Sequence, residues 1–540
     1  MKLLPLLIPF LLSAIVYAQN ISYSLSNNLR AGTGKENWGE GGFVGTHNKK
    51  YFDYYTDAKV FYGSFNAGLR YEYVNPPEYG IKRNKLARRF VEYSNDGFTA
   101  RLGNSFSLFS RGLSLNLFEN RSLAFDTNLD GIKIGYVSQD FKAAGLYGKI
   151  NFIEPSTVLI DKPREESYLI KAASLEYKLF RNFSLGGSLV ESENEFPALL
   201  NVKAKDNSKT FLPELFFRYQ TSAIDLFINY AYKTTSYINK NYYGSGLYAS
   251  FSYSDENYGF TFEYKDYRFD IVDPIASADQ FRVTRMLPFQ NPPTVHKEHS
   301  FTLLTRYPHT ANFNDEVGFQ FDLFYSFDDR TSINLNLSSS SKHFTYTLDK
   351  SRFRFLKKEN NTSWIPSLSN EYSPFTEAYL ELEHYLEQKE SLLRVAFNYR
   401  NEITFDPFLE TNSVQPLKQM SLPVFIQYLF SENFNIKAVN ESQWILKYPK
   451  TNYFYNQLIS LQVGLYKDFN IGGRIEFTTN TDEANGEKSW IVLEGGFRLG
   501  TNHVFTLSYG SERGGQICSN GLCRQVLPFK GFRFSIISNI

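Results

Sequence analysis

Cysteine is almost missing from this 540-residue chain, which holds only Cys518 and Cys523. A disulfide framework for the whole fold is thereby excluded. A zinc site would need two further ligands, and none lies nearby in sequence. In an oxidising compartment the two cysteines are expected to pair, closing a tiny loop that pins one turn. An excess of charge is missing too: 57 basic residues stand against 56 acidic ones, a net charge of +1. No nucleic-acid partner is expected from that balance. Beyond the first 18 residues there is no long apolar run, and the mean hydropathy is −0.36. No transmembrane helix therefore follows the N-terminus.

The N-terminus itself is different. Met1 and Lys2 precede an apolar stretch from Leu3 to Val16, broken by Pro5, Pro9 and Ser13 and followed by Tyr17 and Ala18. At about 14 residues it falls short of the roughly 20 that a spanning anchor needs. The small residues before Gln19 complete a secretory signal, with Sec-type export and cleavage after Ala18 as the expectation. No cysteine sits there to carry a lipid.

What the chain has in quantity is aromatic residues, 50 Phe and 38 Tyr. Alternation of period two accompanies them. Ile224, Leu226, Ile228, Tyr230 and Tyr232 take turns with Asp225, Phe227, Asn229, Ala231 and Lys233. The same pattern recurs through Leu393–Tyr399 against Arg394, Asn398 and Arg400, and through Phe532, Phe534 and Ile536 against Arg533 and Ser535. Tight connections carry turn residues, as in Ser138-Gln139-Asp140. Other connections, such as 191–208 and 349–373, read as longer and polar. This is an all-β chain, a single large antiparallel transmembrane β-barrel of about 22–26 strands. The expected organisation is a signal at 1–18, an N-terminal strand or loop segment at 19–50, and the barrel at 51–540. Within 19–50 the Gly-rich piece from Ala31 to Gly42 reads as a loop. Closure follows from the solvent: an unpaired backbone group in lipid costs several kcal/mol.

Charged residues fall on the inward phase of this pattern: Lys133, Glu176, Lys178, Asp225, Glu263, Lys265, Asp322, Arg394, Arg400, Arg474 and Glu476, with Glu494 and Arg498. They are candidate lumen-lining residues, suited either to a hydrated channel or to cross-strand pairs filling a closed interior. One stretch breaks the alternation. Residues 266–298 hold Pro274, Pro288, Pro292 and Pro293, too much proline for a paired strand. Arg282, Arg285, His296 and Lys297 mark it as a candidate constriction loop over or within the lumen. The local positive run Lys82, Arg83, Lys85, Arg88 and Arg89 reads as a solvated rim.

Catalytic signatures are absent: no Gly-x-Ser-x-Gly elbow and no phosphate-cradling loop occur. Of seven histidines, His296 and His299 lie near Glu298 and His309, and a packed polar loop explains them better than a metal. No enzyme activity, cofactor or metal is expected.

Three stretches resemble a bacteroidete-type outer-membrane barrel family labelled a domain of unknown function. They are Tyr62-Gly63-Ser64-Phe65-Asn66-Ala67-Gly68-Leu69-Arg70-Tyr71 continuing to Pro77, the run from Arg111 through Glu119-Asn120-Arg121 to Lys133, and Asn291-Pro292-Pro293-Thr294 continuing to Arg306. The tail from Gly514 to Arg524 resembles that family's end. The resemblance implies an outer-membrane barrel and no assigned activity; unlike many such barrels, the chain ends in Ile540 and not in an aromatic residue. The expected function is a porin-like channel for hydrophilic solutes, with the Pro-rich loop constricting the lumen. The alternative is a plugged structural or accessory barrel serving outer-membrane assembly or secretion. Expected partners are outer-membrane lipid, the barrel-assembly machinery during biogenesis, and a possible outer-membrane protein partner.

Overall fold

The computed structural model describes residues 21–40, 43–154, 163–198, 201–270, 284–349, 351–352, 354–386, 391–407, 409, 413–480, 482, 486–519 and 522–540. The signal segment 1–18 and Arg282 lie outside the described residues. Twenty-four antiparallel strands form one sheet, each paired with its sequence neighbours. The sheet closes on itself: Ile21–Glu40 pairs with Phe529–Asn539, placing Leu29 opposite Ile536 and Arg30 opposite Ser535. No α-helix occurs among the described residues.

The alternation becomes two walls. In the strand Glu165–Phe180, Tyr168, Ile170 and Ala172 face inward and are buried, while Leu175, Tyr177 and Leu179 face outward and are exposed. Leu69, Leu102, Ile132, Leu215 and Leu493 share that outward fate on other strands. An apolar band of this extent is stable only against hydrocarbon. Inward positions carry Thr210, Asn229, Asn336, Asn398, Gln419 and Gln443, all buried.

The two rims differ. On one, strands join through short turns such as residues 63–64, 96–97, 181–182 and 432–433; on the other lie the connections 106–128, 269–315 and 513–528. Rings gather at the short-turn rim: Phe65 with Tyr93, Tyr136 with Phe141, Phe180 with Phe183, Tyr253 with Tyr258, and Phe430 with Phe434. Such a belt suits the boundary between hydrocarbon and headgroups.

Two sequence expectations are corrected. The Gly-rich piece is no loop: Ala31 to Glu40 completes a 20-residue strand, and among the described residues the wall already includes Ile21, well before Tyr51. Its glycines permit close approach. A Cβ on Gly34 would stand 2.2 Å from the Lys530 carbonyl oxygen, and one on Gly32 equally near the Tyr51 ring. Here packing overrides propensity. Residues 191–208 likewise are not mainly a connection, because Phe183–Ala198 and Asn201–Gln220 continue as a long hairpin.

Candidate functional site

The lumen is occupied by the chain's own connections. The first insertion, residues 106–128, leaves the wall after Phe98–Ser105 and returns at Leu129–Val137. It is locally regular: Ser107–Leu108 pairs with Asn116–Leu117, Glu119–Asn120 pairs with Phe125–Asp126, and a 3₁₀ turn covers Arg121–Leu123. Leu115, Leu117, Leu123 and Phe125 are buried against wall residues Ile150, Phe152, Ile170 and Leu212. Its polar side is clamped. Arg70 bonds both oxygens of Glu119 at 2.9 Å, and Arg88 lies 3.0 Å from Glu119 and 2.8 Å from Asp126. Burial disfavours the Glu119 charge, yet Arg88, Arg70 and Arg121 outweigh it and hold the carboxyl below its ordinary range. Arg88 is therefore an anchor, not the solvated rim residue expected.

The second insertion, residues 284–315, crosses the barrel as a strap. At one end Arg285 meets Glu166 at 3.0 Å and Glu154 at 3.3 Å, and Phe289 packs edge-on to Tyr168 with centroids 5.6 Å apart. At the other, Arg306 pairs with Glu476 on Phe469–Thr478. Those walls lie about half-way round the ring of strands from each other. Between them His299 Nε2 is 2.9 Å from Glu377, and Phe301 and Leu304 pack on Tyr379 and Ala396.

A strap of irregular backbone cannot satisfy its own peptide groups. Charged wall residues do so instead. Lys233 donates to the Thr284 and Arg285 carbonyls at 2.6 Å, Lys265 to that of Thr294, and Arg400 to that of Tyr307. Glu441 accepts from the Thr302 and Leu303 amides at 3.0 and 2.6 Å, and Gln443 donates to Leu303 O at 2.8 Å. Full burial of Lys233 and Lys265 is thereby explained.

The two insertions join. Asn116 N donates to Phe289 O at 2.6 Å, Asn291 N to Gly112 O at 3.1 Å, and Gln290 Nε2 to Leu113 O at 2.7 Å. Gly112 has φ +85°, and a Cβ there would stand 2.5 Å from Asn291 O, so this crossing requires glycine. A third piece, the hairpin Gly515–Ser519 with Leu522–Val526, carries the Cys518–Cys523 disulfide. Arg306 Nη1 donates to the Arg513 and Gly514 carbonyls at 3.0 Å, tying strap to hairpin, and Leu522 packs on the first insertion's core.

The sequence-predicted lumen residues divide in two. Lys265, Arg400 and Glu476 lie at the long-loop half and are buried beneath the strap. Lys133, Glu176, Lys178, Asp225, Glu263, Asp322, Arg394 and Arg474 face the other, less buried part. There most pair with the wall or rest on it, Glu176 with Lys142, Asp225 with Arg218, Arg474 with Glu512 and Arg394 over the Phe425 ring. Lys133 instead donates to the Phe106 carbonyl of the first insertion at 2.8 Å, and Arg394 also lies 5.7 Å over the strap's Phe301 ring. Of the constriction candidates, Arg285 anchors the strap, Lys297 sits 4.9 Å from the Tyr379 ring centre, and His296 is 5.0 Å from the His309 ring. Sequence reading missed Lys233, Glu166, Glu441 and also Glu214, a buried wall carboxylate that accepts from Ser114 of the first insertion. Their one signal was charge on an inward phase.

The strap histidines are tuned in opposite senses. Burial first, then the neighbouring His309 and Lys265, pushes His296 down to about 3. Burial also works against the His309 charge, but Glu402 at 2.9 Å and Glu316 at 3.6 Å raise it above the ordinary imidazole value. Among the described residues no group of three or more metal-ligating side chains converges.

A family model described as "Family of unknown function (DUF6029)" matches residues 4–540. The chain belongs to that family. No curated protein sequence matches it. Among solved structures it is similar to the siderophore receptor PirA from Pseudomonas aeruginosa, at 6% identity and TM-score 0.46 over 96% of this chain and 80% of that one. The P pilus usher (PapC) translocation pore is similar at 8% identity and TM-score 0.42, covering 96% and 99%. The copper transporter OprC gives 9% identity and TM-score 0.45, covering 96% and 80%.

Proposed function

We propose that this chain is an outer-membrane barrel that works with its lumen stoppered by its own insertions, as an accessory or surface component and not as an open porin. The observation that carries this reading is the strap 284–315, fixed at Glu166 on one wall and at Glu476 on the opposite wall. A ring of this many strands encloses space that wall side chains alone do not fill. Here the long-loop half of that space is filled by the insertions, whose apolar side chains pack on the wall and whose backbone is held by buried wall charges. The reading includes Sec-type export through residues 1–18, insertion by the barrel-assembly machinery, residence among outer-membrane lipid, an outer-membrane protein as partner, and no catalysis.

A second reading, a gated channel for hydrophilic solutes, is favoured by the charged residues of both signs lining the short-turn half. Planar-bilayer recording separates the two. The native chain is expected to be silent at moderate voltage, and a chain lacking residues 288–308 is expected to conduct. Steady steps from the native chain would favour the channel and defeat the stopper.

A further inference from the structure

One long-loop connection folds outside the barrel, not into it. Residues 342–373 join the strands Thr331–Ser341 and Phe375–Tyr385. Within them Phe344–Asp349 pairs with Arg354–Glu359, and Tyr372 donates to the Glu359 carbonyl at 3.0 Å. The remainder lies on the outward face of the wall. Tyr264 Oη donates to the Trp364 carbonyl at 2.8 Å, Arg268 to that of Ser363 at 3.1 Å, and Ser367 N to Ser341 Oγ at 2.8 Å. Alternation fixes the side: Lys265 and Tyr267 reach the strap carbonyls of Thr294 and Pro293 inside, so Tyr264 and Arg268 point out. Ser340 meets the strap's His309, so Ser341 points out as well.

The wall changes row by row beneath this cover. In the outward row of Phe262, Phe321 and Leu337, Phe262 and Leu337 are exposed. Four residues further along, in the row of Asp266, Val317 and Ser341, Val317 is 0% and Ser341 1% exposed. An outward position is buried only where chain lies outside it. What the connection turns away from the wall is apolar: Trp364 is 63% and Leu368 73% exposed, with Ile365 exposed between them. Three such residues within five make a patch, not a scattered surface side chain. Its height decides the occupant. The covered row lies eight residues along its strand from Tyr258, a member of the short-turn aromatic belt, and ten from Thr331. At about 3.4 Å per residue and a tilt of about 40°, that is roughly 20–25 Å, the height of an outer-membrane barrel's apolar band. The patch thus continues the outward band at its long-loop edge, where tryptophan and aliphatic side chains settle between headgroups and hydrocarbon.

We propose that the connection 342–373 is a lipid anchor that lays Trp364, Ile365 and Leu368 into the outer leaflet beside the wall. It rests on the membrane-barrel reading and not on the stopper. Leu368→Cys tests it, because Cys518 and Cys523 are bonded to each other and leave the new thiol alone for labelling. The full chain, carrying an environment-sensitive fluorophore there, is reconstituted in phosphatidylcholine vesicles. Quenching is read with lipid bearing an acyl-chain nitroxide and with iodide on both faces. Leu337→Cys marks the apolar band, and Lys450→Cys, on an exposed long-loop turn, marks water. The Leu368 label is expected to lose at least about half as much emission to the nitroxide lipid as the Leu337 label, and at least about threefold less to iodide than the Lys450 label. If Leu368→Cys does not yield a folded barrel by its gel shift on heating, Trp364→Cys takes its place with the same expectation. Iodide quenching equal to that at Lys450 would overturn the proposal. Shielding from both quenchers would overturn it too, since the patch would then be covered by protein. If Leu337 is quenched by lipid and Leu368 is not, the anchor alone fails; if neither is quenched, the membrane reading fails with it.

Discussion

The long-loop and short-turn halves of this lumen are made from one set of strands, yet they behave as different materials. In Glu165–Phe180 the inward residues Tyr168, Ile170 and Ala172 are buried under the insertions, whereas Ser174, Glu176 and Lys178, further along the same face, stay partly open. The strand chemistry follows the occupant. Where an insertion packs, the wall is apolar or carries a polar or charged group that holds the insertion's backbone or its arginines and histidines; where none packs, charges mostly pair with each other across strands. An inward charge on a wide barrel is thus a lumen-lining residue or a clamp, depending on what the connections do.

That comparison can be broken or sharpened by experiment. The largest effect is expected from removing the strap: deletion of residues 288–308 should turn a silent barrel into a conducting one, read as single-channel steps. Next is Phe289→Ala, which empties a fully buried site against Tyr168 and should loosen strap docking by about 3 kcal/mol. Amide hydrogen exchange across residues 284–315 measures it, and unchanged protection would mean the strap is not held by that core.

The strap's pH response follows from its histidines. His296 has a folded pKa depressed from 6.5 to about 3, so its contribution is present above 6.5 and is lost as pH falls toward 3. His309 is raised, so its contribution is present below the unfolded value and is lost as pH rises through the folded one. Acidification should therefore loosen the strap through His296, and His296→Gln should flatten that acid limb in a protease-accessibility titration. The smallest effect belongs to the short-turn half. Asp225→Ala breaks a half-exposed pair with Arg218 and should cost about 0.2–1 kcal/mol, with no change in strap protection.

The barrel was legible because lipid enforces period two on every strand. The closing strand was less so: Gly32 and Gly34 read as loop residues until their packing against Tyr51 and Lys530 is known. The lumen was half legible. Pro292 and Pro293 announced a segment unable to pair, and Arg285 and His296 were singled out within it. The first insertion was not seen as one, although Arg111 to Lys133 was marked by resemblance. Three of the four stretches that carried the family resemblance contribute to the inward-folded segments. Lys233, Glu441 and Glu166 stayed hidden because their partners are backbone atoms and side chains of the strap and its anchoring wall, which alternation cannot reveal.

Sided labelling tests the central claim most directly. Lys178→Cys, in a chain reconstituted with known orientation, places one thiol in the open half beneath the insertions. A membrane-impermeant maleimide added from the short-turn side should label it, and the same reagent from the long-loop side should not. Equal labelling from both sides would mean that the insertions leave a through path.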